Sequence, residues 1–148
     1  MSLWVRRKMA MQFLYAMNFL HKHGVCHRDL SYGNVLIHTY DDGAFTVKVS
    51  DFGLAKERNS DLTSTGSSMK GSIEDPALKS FKDFKPVNDI YSIGFILNYI
   101  FTGRRDLLAD GSRLGSIIQK CSTTNSADRY QTVRDIIEDM KKAECLVG

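Results

Sequence analysis

The sequence predicts a mainly α-helical domain carrying one short β-hairpin. Apolar residues recur at helical spacing in several separated segments, of which Met9, Phe13, Met17 and Leu20 form the first. Two brief apolar runs, Val35-Leu36-Ile37 and Phe45 to Val49, flank the turn residues Asp41-Asp42-Gly43, which is a hairpin pattern. A chain of 148 residues holds one core's worth of sequence, enough to bury roughly 68–70% of its unfolded surface. A single domain over residues 1–148 is therefore expected.

In chain order, a helix is expected from Trp4 to His23, stopped by Gly24, with its methionine and aromatic stripe packed on a core. His21 and His23 stand two apart and diverge on a helix, so they do not chelate as a pair. Val35-Leu36-Ile37 is expected as a buried strand, and Phe45, Val47 and Val49 as one face of its partner. Residues 54–71 turn polar, crowding Ser60, Thr63, Ser64, Thr65, Ser67 and Ser68 together with few apolar anchors, which predicts a mobile loop. From Asp89 to Thr102 the chain is apolar on nearly every side and is closed by Gly103, so this helix belongs at the centre. Further helices are expected near Leu114 to Cys121 and from Val133 to Ala143. In the last, Val133, Ile136, Ile137 and Met140 lie on the buried stripe and Lys141-Lys142 favour the carboxy end.

Composition narrows the function classes. An apolar share of 43%, a charged share of 25% and a net charge of +3 are those of an ordinary globular protein. They give no reason to expect a nucleic-acid or membrane partner. Arg6-Arg7-Lys8 is a short basic run that fits the solvated face of a helix. Cys26, Cys121 and Cys145 form no Cys-x-x-Cys pair and have no histidine at zinc-ligand spacing, so neither a disulfide framework nor a structural metal is expected. No apolar run is long enough to span a bilayer, and the amino terminus lacks the sections of a secretory signal. A soluble, cytoplasmic protein is the expectation.

The chemistry concentrates in His27-Arg28-Asp29-Leu30-Ser31-Tyr32-Gly33-Asn34, answered after the hairpin by Asp51-Phe52-Gly53. The hairpin returns Asp51 toward Asn34, which gathers two carboxylates and an amide oxygen in one small volume. This pairing resembles the catalytic and metal-binding loops of the protein kinase family, His-Arg-Asp-(four residues)-Asn and Asp-Phe-Gly. The resemblance extends to Asp89-Ile90-Tyr91-Ser92-Ile93-Gly94, which matches the central helix of the family's carboxy-terminal lobe.

The resemblance implies roles. Asp29 would orient the acceptor hydroxyl and take its proton, while Asn34 and Asp51 would bind ATP through Mg2+ ions, for which oxygen donors are suited. Asp89 would hold the catalytic loop's backbone. Residues from about 51 to 77 would be the activation segment, with Arg28 the cation that docks a phosphate placed on it. Gly71-Ser72 and Pro76 fall near the segment's end, but the family's Ala-Pro-Glu is here Asp75-Pro76-Ala77. The glutamate that normally pairs with a buried arginine is missing although that arginine is present as Arg129, so Glu74 or Asp75 is expected to replace it. Ser31, the third catalytic-loop candidate, stands where serine/threonine kinases carry a lysine, and Gly33 where tyrosine kinases carry an arginine. Loss of one preorganised donor costs on the order of 10²–10³ in rate.

Only the carboxy-terminal lobe is represented in this reading: no glycine-rich phosphate loop or strand lysine precedes His27. The expected fold is a kinase-like carboxy-terminal lobe lacking its amino-terminal lobe, and the expected function is an ATP-dependent serine/threonine protein kinase acting on a protein substrate. Apolar surface at the missing lobe's seat would favour a partner chain or a homo-oligomer. Two alternatives stay open, a non-catalytic kinase-like binding module and a small-molecule kinase of the aminoglycoside phosphotransferase type.

Overall fold

In the computed structural model, residues 1–51 and 73–147 are described. Helix α1 spans Leu3–Lys22, strands β1 and β2 span Val35–Thr39 and Phe45–Val49, and the remaining helices are α2 (Pro86–Thr102), α3 (Arg113–Ser122) and α4 (Val133–Val147). No helix of the described residues is long and apolar enough to cross a membrane.

Each element starts and stops for a local reason. The Ser2 hydroxyl accepts from the Val5 amide at 3.3 Å and caps α1. The helix ends where Gly24 takes a φ of 72°. The hairpin pairs Val35 with Val49, Ile37 with Val47 and Thr39 with Phe45. Gly43, at φ 85°, makes the reversal. Helix α2 has Pro86 in its first turn, where a missing amide costs nothing, and ends on left-handed Gly103.

The core is built from α1, α2, α3 and α4 around one cluster. Phe13, Leu14 and Met17 of α1 meet Ile90, Ile93 and Leu97 of α2, with Ile118, Val133 and Ile136 closing the other side. Each such side chain contributes roughly 1.5–3 kcal/mol when removed from water. The approach of α3 to α2 requires Gly94, since a Cβ there would overlap the Ser122 hydroxyl and crowd Cys121. In turn Ser122 donates that hydroxyl to the Tyr91 carbonyl at 2.8 Å.

The hairpin is fastened to α1 by a side chain rather than by packing alone. Gln12 accepts from the Val47 amide at 2.8 Å and donates to the Phe45 carbonyl at 3.4 Å. Phe45, Val47 and Val49 face the core as expected, but β1 does not behave as a buried strand. Leu36 and Ile37 are 49% and 48% exposed. Leu36, opposite exposed Lys48, lies on the outer face, while Ile37 shares the inner face with Val47 but stands on the strand away from α1, which packs mainly on β2, so an apolar run is not evidence of burial there. The last helix also runs past Ala143 to Val147, so Lys141 and Lys142 lie within it rather than at its end.

Candidate active site

The segment from His27 to Asn34 crosses from the end of α1 to the start of β1, and three sets of hydrogen bonds shape it. The first comes from Asp89 in the opening turn of α2. Its carboxylate accepts from the backbone amides of His27 at 2.7 Å and Arg28 at 3.1 Å, and meets Nε2 of His21 at 2.8 Å. Asp89 is fully buried, so these bonds replace all of its hydration. Arg28 adopts a φ of 72°, a strained conformation for a non-glycine residue. Strain of that kind costs about 1–3 kcal/mol and persists only where the surroundings enforce it; the two bonds to Asp89 do so.

The second set centres on His27, whose ring is fully buried. Its Nδ1 accepts from the Asp29 amide at 3.1 Å, which leaves Nε2 carrying the proton it donates to the Ser50 carbonyl at 2.6 Å. The third set closes the loop on itself. Asn34 donates its side-chain amide to the Asp29 carbonyl at 2.7 Å, and its own carbonyl accepts from the Ser50 amide at 2.8 Å.

These bonds bring the expected residues together. Asp29 and Asn34 are tied across the loop, and Ser50 delivers Asp51 beside them. Asp51 is exposed, with a left-handed φ of 64°. The nitrogen of the Asn34 amide is spent on Asp29, so Oδ1 is the atom Asn34 can offer a cation. Paired with the Asp51 carboxylate it would make an all-oxygen donor set, of the kind that fits a hard ion such as Mg2+. Ser31 is buried beside them and contributes a hydroxyl, not an amine. The Arg28 guanidinium lies 5.8 Å from the centre of the Phe81 ring. Phe52, Gly53 and the serine and threonine candidates from Ser60 to Ser68 lie outside the described residues.

The sequence over residues 1–144 matches the protein kinase domain. This chain belongs to the protein kinase family. It is 28% identical to a probable serine/threonine-protein kinase of Clostridium acetobutylicum over 91% of this chain and 24% of that protein. A probable serine/threonine-protein kinase of Lactococcus lactis is 37% identical over 63% of this chain and 14% of its own length. The kinase domain of PknI from Mycobacterium tuberculosis superposes with a TM-score of 0.69 at 20% identity, over 97% of this chain and 56% of that one. The chain therefore spans about a quarter of the first of these curated relatives.

Within this kinase fold the carboxylate replacing the missing glutamate is Asp75. Both oxygens of Asp75 accept from Arg129 at 2.6 Å, and Asn88 adds a bond at 2.8 Å. Arg129 spends its remaining donors on the carbonyls of Thr123, Val87 and Thr124. Glu74 is exposed. Burial pushes the Asp75 carboxyl upward, but hydrogen bonds from Arg129, Asn88 and the Ala77 amide outweigh it and hold the group below the usual carboxylate range. Sequence reasoning missed His21 as a partner of Asp89 and Asn88 as a partner of Asp75. Neither had a local signal, because each bond joins residues distant in the chain or meeting only after α2 has formed.

Proposed function

We propose that the chain is the phosphotransfer half of an ATP-dependent serine/threonine protein kinase, in which Asp29 serves the acceptor hydroxyl and Asn34 and Asp51 hold Mg2+. The observation carrying this reading is the closed circuit of bonds from Asp29 to Asn34 to Ser50, which sets Asp51 beside the loop. Asn34 and Asp51 would hold Mg2+, whose charge would offset that of the nucleotide phosphates. Asp29 orients the hydroxyl of a protein side chain and accepts its proton. Asn34 presents an oxygen whose direction is fixed by the bond from its own amide to Asp29, so little reorganisation is needed when charge develops. The serine/threonine type is supported by the names of the bacterial relatives. A protein substrate and a cytoplasmic location go with the same reading.

Residues 51–77 are read as the activation segment, with Arg28 receiving a phosphate on it. Exposed Trp4 and Phe19 on α1 and half-exposed Leu36 and Ile37 on β1 support association with another polypeptide, whether an amino-terminal lobe or a second copy. Light scattering across concentration tests this, and a strictly monomeric chain overturns it.

The phosphotransfer reading is tested with ATP and Mg2+ on this chain and on the full gene product carrying it. Asp29→Asn is expected to lower transfer about 10²–10⁴-fold, and Asp51→Asn to weaken Mg2+ dependence. Ser31, with no cation at the lysine position, favours one second reading, a non-catalytic kinase-like binding module. Absence of transfer in both proteins, with nucleotide binding retained, would establish it instead.

A further inference from the structure

Cys26 stands one residue before the candidate catalytic loop and takes no part in the bonds described above. The fold nevertheless gathers it with two other metal-ligating side chains that the spacing of cysteines and histidines did not reveal. His21 comes from the last turn of α1 and Asp89 from the first turn of α2, and one ligand atom from each of the three lies within 4.8 Å of the others. We propose that His21, Cys26 and Asp89 bind a divalent cation of the zinc class, which ties α1, the approach to the catalytic loop and α2 together.

The donor set selects the cation. A thiolate and an imidazole favour zinc over magnesium or calcium, and three protein donors leave a fourth tetrahedral position for water. A sulfur at about 2.3 Å and a nitrogen at about 2.0 Å from one tetrahedral ion stand about 3.5 Å apart. The cluster closes on that geometry with side-chain shifts of roughly an ångström. Asp89 retains capacity for the role, since among the described residues its Oδ1 accepts from the Arg28 amide, and the Oδ2 lone pair now directed at His21 is released when a cation takes Nε2.

His21 faces the site with Nε2, which lies 2.8 Å from Asp89 Oδ2. The His21 side chain is nine-tenths buried, and its Nδ1 has no hydrogen-bond partner among the described residues. A cation held between Nε2 and the Asp89 carboxylate would replace that hydrogen bond, with the ring proton passing to Nδ1. The thiol of Cys26 is held protonated by burial and by the Asp89 carboxylate, which push it up to about 11 against the opposing Arg28 charge. Binding of a cation therefore releases the thiol proton to solvent as the sulfur–metal bond forms.

Cobalt(II) added to the chain tests the site directly. Expected are a near-ultraviolet thiolate-to-cobalt charge-transfer band and visible bands of a four-coordinate ion, both displaced by Zn2+. They should vanish in Cys26→Ser and His21→Gln and persist in Cys145→Ser, with circular dichroism verifying that each variant is folded. Calorimetry with Zn2+ in buffers of different ionisation enthalpy should report release of about one proton in the parent and none from this site in Cys26→Ser. The proposal is overturned by the absence of a charge-transfer band in the parent, by its survival in Cys26→Ser, or by zinc binding without proton release.

Discussion

Asp75 and Asp89 are two carboxylates packed at the same end of α2, and they are used in different ways. Asp75 is matched to a guanidinium, with both of its oxygens on Arg129. Asp89 is matched to backbone, holding the amides of His27 and Arg28 together with the His21 ring. The first arrangement fixes two side chains and anchors the stretch around Asp75 to the turn before α4. The second fixes main-chain dihedrals, including the left-handed Arg28, whatever side chains the loop carries. A charge pair thus serves cohesion, and an amide-bound carboxylate serves shape.

The largest effect separating these roles is expected at Asp75. Asp75→Ala leaves the buried Arg129 charge uncompensated, which costs about 3–5 kcal/mol, read as a lowered midpoint in urea unfolding. Replacing both partners with apolar residues, as in Asp75→Leu with Arg129→Met, should recover most of that loss. If the double variant is as unstable as the single one, Arg129 matters through its bonds to the Thr123, Val87 and Thr124 carbonyls and not through its charge.

At Asp89 a smaller loss of stability should accompany a larger local one. Asp89→Asn gives up charge-assisted bonds worth about 1.5–3 kcal/mol. Amide hydrogen exchange at His27 and Arg28 should accelerate well beyond the global change, whereas Asp75→Ala should raise exchange everywhere by the same factor. Equal acceleration in both variants would dissolve the distinction between cohesion and shape.

Acid gives a third comparison. Because the folded-state Asp75 carboxyl lies below its ordinary value, its contribution is fully present above the unfolded value of about 3.9. It is lost as pH falls through the lower folded value. The stability gap between the parent and Asp75→Asn should therefore be constant from neutral pH down to about 4 and narrow below it. A gap that closes at higher pH would place the titrating group elsewhere.

How much of this was legible in the sequence depends on the range of each interaction. Helices α1 and α2 and the hairpin were legible because periodicity, a cap and a turn are local. The exposure of Leu36 and Ile37 was not, since burial of a strand depends on what covers the sheet. Nor was the extension of α4, because Lys141-Lys142 carry the signature of a helix end without making one. In the candidate site, the return of Asp51 toward Asn34 could be read from the hairpin's length, and Asp75 was one of two carboxylates expected near Arg129. The bonds of His21, Gln12 and Asn88 had no such signal. Asn98 is the same kind of case: fully buried in α2, it holds the carbonyls of Arg104 and Asp106 and the amide of Leu108, a role that emerges only once the chain has turned back.

The smallest effect in the comparison is the most diagnostic of partner choice. Glu74 adjoins Asp75 in sequence and carries the same charge, so a long-range attraction to Arg129 would be felt by both. Glu74 is exposed, however, while the Arg129 side chain is fully buried against Asp75. Charges in solvent are screened, and substitutions away from buried features usually shift stability by less than about 0.5 kcal/mol. Glu74→Ala should fall within that limit at low and at high salt alike, measured by the same urea titration. A loss approaching that of Asp75→Ala would mean that Arg129 shares its guanidinium between the two carboxylates, and that the bidentate bond alone does not explain the anchor.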